Sequence, residues 1–141
     1  MNVDWVPRIE MALAGRTCEI VRREADWVAN ICGGGSIVLP MPWRIVAGGR
    51  IAFASEDDGQ QFGLPAPLDG EVIANGLIGS RRVTGFRVDR ETLDLSLRFE
   101  GAVRLDAFSN SCGYEGWHIH LSPQDGDLSV IALGGGEVAI F

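Results

Sequence analysis

A chain of 141 residues with 46% hydrophobic content has enough apolar material for one domain with a buried core and no disulfide staples. Nineteen acids stand against twelve arginines with no lysine at all, and the formal charge of −7 disfavours nucleic acid and anionic lipid as partners while attracting basic proteins. Without lysine there is no Walker A loop, Schiff-base lysine or Ser-Lys dyad, and no apolar run nears the ~20 residues of a membrane helix.

Met1–Glu10 carries Asp4 and Glu10 and lacks the basic-then-apolar pattern of a secretory signal, so the expected location is the cytoplasm. Cys18, Cys32 and Cys112 are an odd set without CxxC spacing, as expected of reduced thiols. Residues 5–14 admit two readings. One is a short helix with Pro7 in its first turn and Ile9 and Leu13 on one face; the other is an edge strand.

Thr17–Arg23 and Asp26–Cys32 read as strands joined by a turn at Glu24-Ala25, and Ser36–Leu39 extends the meander until Pro40 and Pro42 end it. Trp43–Val46 and Arg50–Ala54 form a hairpin over Ala47-Gly48-Gly49. The polar loop Ser55–Gln61 follows, with Pro65 and Pro67 stiffening its exit. A short helix is expected next, capped by Asp69, with Val72, Ile73, Gly76 and Leu77 on one stripe and Gly79 in a left-handed position after its last turn.

Leu93, Leu95, Leu97 and Phe99 alternate with Asp94, Ser96, Arg98 and Glu100, the pattern of a half-buried antiparallel strand. Val83 and Phe86 fall on opposite parities across Gly85, which calls for a bulge. Val103, Leu105 and Ala107 are expected to face the core, as are Trp117, Ile119 and Leu121. Leu128–Leu133 and Glu137–Phe141 close the chain as a hairpin over Gly134–Gly136, and Gly33–Gly35 makes a similar turn earlier.

The landmarks Leu13, Gly15, Val21, Gly35, Ile37 and Leu39 recur as Leu77, Gly79, Phe86, Gly101, Val103 and Leu105, at an offset that drifts from 64 to 66. The expected fold is therefore a single, mainly β (α+β) domain over 1–141, with pseudo-repeats at about 13–54 and 77–121. Each repeat holds a three-stranded antiparallel meander, one short helix separates them, and a C-terminal hairpin follows. Sandwich, open roll and partial barrel all satisfy this pattern.

Chemistry-bearing residues are sparse. On a strand, His118 and His120 share one face ~6–7 Å apart, a start for a zinc site completed by Cys112, Glu115 or Asp127, or simply two solvent-facing polar residues. Ser109, Ser111 and Cys112 precede them without a nucleophile elbow. Glu56, Asp57 and Asp58 are adjacent acids in a polar loop, which suits a solvated docking patch better than a glycosidase pair. Ser109–Trp117 holds the only tyrosine. It reads as a loop pinned by Tyr114 and Trp117 with Glu115 bonding backbone amides, or as a rigid hot spot for a partner.

Trp43-Arg44-Ile45, Phe62–Asp69, Asp94–Phe99, Gly113–Trp117 and Gly134–Glu137 together look like a group of small bacterial proteins of unknown function. Some of that group resemble immunity proteins encoded beside polymorphic toxins. The likeness runs from about Leu13 onward and implies a binding role, with no catalytic residues to carry over.

The expectation is a non-enzymatic immunity protein, monomeric or weakly dimeric, that needs no cofactor and neutralises a cognate toxin. Glu56, Asp57, Asp58, Asp106 and Glu115 would supply charge, and Tyr114 and Trp117 would anchor. The alternative is a small-ligand or metal-binding β domain centred on His118, His120 and Glu115.

Overall fold

A computed structural model describes residues 4–141; Met1–Val3, the start of the segment read for a signal, lie outside the described residues. Residues 5–14 resolve as a helix, α1 (Trp5–Leu13), opened by Asp4, whose carboxylate accepts the Val6 amide at 3.1 Å. Pro7 sits in the first turn, where its missing N–H has no intrahelical partner to lose. Trp5, Ile9 and Leu13 recur every fourth residue and are buried together.

The strands β1 (Cys18–Arg22), β2 (Trp27–Ile31), β3 (Ser36–Leu39), β4 (Trp43–Ala47) and β5 (Arg50–Ala54) follow, then α2 (Gly70–Ile78). Beyond α2 come β6 (Val83–Val88), β7 (Leu95–Phe99), β8 (Val103–Ala107), β9 (His118–His120), β10 (Ser129–Ala132) and β11 (Val138–Ile140). They form two antiparallel sheets, ordered β1-β2-β3-β9-β10-β11 and β5-β4-β8-β7-β6. The inward side chains of both sheets join the buried faces of the two helices in one shared core. No helix among the described residues is long and apolar enough to cross a membrane.

The two halves repeat in structure from Asp4 onward, earlier than the expected start at Leu13, and their helices align Leu13 with Ile78 and not with Leu77. Asp4 and Asp69 cap the two helices, and buried Trp5, Ile9 and Leu13 correspond to buried Gly70, Ala74 and Ile78, a constant offset of 65. The halves exchange parts. Helix α1 packs on β6 and α2 on β1, while β4 pairs with β8 and β9 pairs with β3. Each meander is thus completed by an element of the other half, so neither half buries its apolar face alone.

The buried face of α2 is Gly70, Ala74 and Ile78 and not the expected stripe of Val72, Ile73, Gly76 and Leu77, since Val72 and Gly76 are exposed. The register shift between Val83 and Gly85 is the anticipated bulge. Gly79 has φ −55 and is not left-handed. A Cβ there would stand 2.5 Å from the Asn75 carbonyl oxygen, so close approach and not handedness demands glycine. Leu93 is buried but lies in a turn at φ 64, because β7 begins only at Leu95.

Candidate partner-binding loop

The two halves cross between sheets at equivalent points. The step from β3 to β4 takes only residues 40–42, whereas the step from β8 to β9 takes residues 108–117. Since three residues suffice for the first crossing, the added length of the second is not required by topology.

That longer crossover is held at both ends and along its course. The Ser109 amide donates to Asp94 Oδ1 at 2.9 Å, and the Gly116 amide donates to the Ala132 carbonyl at 2.8 Å. Ser111 Oγ accepts from the Gly113 and Tyr114 amides at 3.1 and 2.8 Å, and its carbonyl accepts from Gly135 at 3.2 Å. Trp117 Nε1 donates to the Leu93 carbonyl at 2.7 Å. Gly134 lies so close to Gly113 that a Cβ on it would stand 2.5 Å from that backbone.

Tyr114 projects from this frame with 84% of its surface exposed, and Glu115 beside it is exposed too. Between the loop and the shorter crossover lies a groove of about 780 Å³, lined by Met41, Ser109, Asn110, Tyr114, Glu115 and Leu133. A second hollow of about 300 Å³ shares Pro40 and Met41 and continues to Trp27 and Glu56. Glu56, Tyr114 and Glu115 therefore border contiguous hollows around the Pro40-Met41 ridge.

The other expected contacts are placed differently. Trp117 is fully buried against Trp5, with ring centroids 5.6 Å apart, so it anchors the core and offers no surface to a partner. The loop is pinned by Trp117 and by the serines, while Tyr114 points away; the loop amides expected to bond Glu115 are accepted by Asp94 and Ser111 Oγ instead. Asp57 accepts the Ala54 amide at 3.1 Å, and Asp58 accepts the Gly70 amide at 2.8 Å while pairing with Arg22 at 3.3 Å. Two of the three clustered acids thus hold local backbone, and only Glu56 is an exposed carboxylate.

Asp106 lies on the outer face of the five-stranded sheet among arginines. It accepts from Ser96 Oγ at 2.9 Å and pairs with Arg104 at 3.0 Å and Arg44 at 3.5 Å. Its charge is neutralised within the sheet, which removes it from any free acidic patch. The alternation of β4, β7 and β8 already put Arg44, Arg98 and Arg104 outward, but which strands adjoin one another was invisible in sequence. The Pro40-Met41 side of the groove was missed for the same reason.

His118 and His120 share the outer face of the six-stranded sheet, and His120 Nδ1 lies 2.9 Å from Ser129 Oγ. Among the described residues no third His, Cys, Asp or Glu joins them in a metal-holding group. Elsewhere, Arg16 grips Asp125 with two bonds of 2.7 and 2.8 Å, and that pairing, aided by Ser122, holds the Asp125 carboxyl below the usual carboxylate range. Burial, and secondarily the neighbouring Cys32, pushes the Cys18 thiol up to about 12.

No family model, curated protein or solved structure matches the chain.

Proposed function

We propose that this chain is a cytoplasmic immunity protein that binds a cognate toxin domain and blocks it, and that residues 109–116 form its grip. One observation carries the reading: a crossover longer than the fold needs is held rigid by its serines and displays Tyr114 at 84% exposure. A large aromatic on a prepared loop has little ordering entropy left to lose on binding, which is the physical character of a hot spot. Glu115 and Glu56, bordering the same ridge, add negative potential within a chain of net charge −7, and such a surface is steered toward a basic cleft.

Calorimetric titration with the inactivated C-terminal domain of the toxin encoded by the adjacent gene tests the proposal. A stoichiometric complex is expected, with Kd rising about 30-fold in Tyr114→Ala. Glu115→Gln should weaken binding mainly at low salt, through the association rate. No complex, or a Kd indifferent to both substitutions, refutes it.

A further inference from the structure

The segment between β5 and α2 holds an exposed apolar turn that neither the fold nor the Tyr114 loop accounts for. Gln61-Phe62-Gly63-Leu64 is a tight turn closed by the Leu64 amide on the Gln61 carbonyl at 2.8 Å and by Gln61 Nε2 on the Leu64 carbonyl at 2.7 Å. Its central residues both have positive φ, 47 at Phe62 and 77 at Gly63. Turns of this kind favour Asn, Asp or Gly at the first central position, where phenylalanine is strained.

Solvation disfavours the residue as well. Phe62 is 68% exposed and Leu64 46%, and Pro65, Ala66 and Pro67 beside them are exposed. The base of the loop is nonetheless ordered, since Gly59 donates to the Leu68 carbonyl at 2.9 Å, Leu68 donates to the Gln60 carbonyl at 2.8 Å, and Leu68 packs on the core. A side chain disfavoured in both backbone and solvent, on a support that holds it out, has its compensation in a contact made outside the molecule.

We propose that Phe62 and Leu64 form a plug that enters an apolar slot on a protein partner. Exposed Glu56 precedes the loop, while Asp69 behind it pairs with Arg22 at 3.5 Å; the free Glu56 carboxylate and the net charge of −7 favour a slot with a basic rim and oppose an anionic membrane. The inference rests on the toxin-binding reading and adds a second point of attachment to it.

Phe62→Gly keeps the turn, relieves its strain and removes the plug. It should raise Tm by roughly 2–4 °C and raise the Kd for the inactivated toxin domain about 30-fold. A wild-type chain that forms no complex sinks the toxin reading and the plug together. A wild-type complex with Kd unchanged in Phe62→Gly sinks the plug alone. So does a fall in Tm in Phe62→Asn, which suits the same backbone without glycine's unfolded-state entropy and would show that Phe62 stabilises the free chain. Phenylalanine-dependent binding to phosphatidylcholine vesicles overturns the protein slot in favour of a lipid surface.

Discussion

Asn75 holds both main-chain groups of Ile20. Its Oδ1 accepts the Ile20 N–H at 2.7 Å and its Nδ2 donates to the Ile20 carbonyl at 2.8 Å, so one side chain takes the place of a neighbouring strand along the edge of β1. In the other half, Glu10 occupies the equivalent helical position, and its Oε2 accepts the Phe86 N–H of edge strand β6 at 3.3 Å. The two helices thus close strand edges of the opposite halves with side chains.

Asn75→Ala should destabilise the protein by about 2–3 kcal/mol, because two partly buried backbone groups lose their partner at once. Glu10→Ala, which breaks one longer bond, should cost about 0.5–1.5 kcal/mol. Urea denaturation of both variants checks the order, and equal losses would contradict the geometry.

Trp43 and Trp117 stand at equivalent crossovers, yet only Trp117 has its indole N–H satisfied; Trp43 Nε1 is buried without a partner. Trp117→Phe leaves Leu93 only its longer bond from Ser109, at 3.3 Å. It should cost about 2–4 kcal/mol through lost volume and lost pairing together. Trp43→Phe removes an unpaired donor while shrinking the side chain, so its cost should be smaller by about 1 kcal/mol or more. Thermal unfolding of the two variants decides the order.

Cys32 and Cys112 are exposed and Cys18 is buried, so a thiol reagent at pH 8 should titrate two groups in the native protein and the third only in denaturant. Folding raises the Cys18 thiol from 9.0 to about 12. As pH climbs past the unfolded value, the unfolded chain ionises first, so stability declines toward pH 12. Cys18→Ala should shallow that decline.

The Arg16 guanidinium lowers the Asp125 carboxyl. Its stabilising share is therefore complete above the unfolded value of about 4 and vanishes as pH falls through the lower folded value. Tm measured from pH 5 to pH 2 should fall less steeply in Asp125→Asn than in the parent. Identical slopes would show that the clamp does not couple to folding.

Tyr114→Ala should leave stability within about 0.5 kcal/mol, since the ring is almost wholly in solvent. Ser111→Ala removes the acceptor of two loop amides. Hydrogen exchange at Gly113 and Tyr114 should then quicken by about tenfold without a comparable change in the strands.

Sequence alone was enough for the faces of most strands, because a two-residue period writes burial directly into the order of residues, although Leu93 continues that period outside β7. Leu95, Leu97 and Phe99, then Val103, Leu105 and Ala107, are buried as their parity requires, and Trp117 shares the parity of buried Ile119 and Leu121. The α2 cap at Asp69 was equally legible, being a contact between near neighbours in the chain. What the tertiary structure decided is everything that depends on pairing across distance. The pairing of β9 with β3 and β4 with β8, the arginines around Asp106, and the closure of the β1 edge by Asn75 join residues far apart in the chain. No local period encodes which strand becomes whose neighbour; that is settled by burying both apolar faces in one shared core.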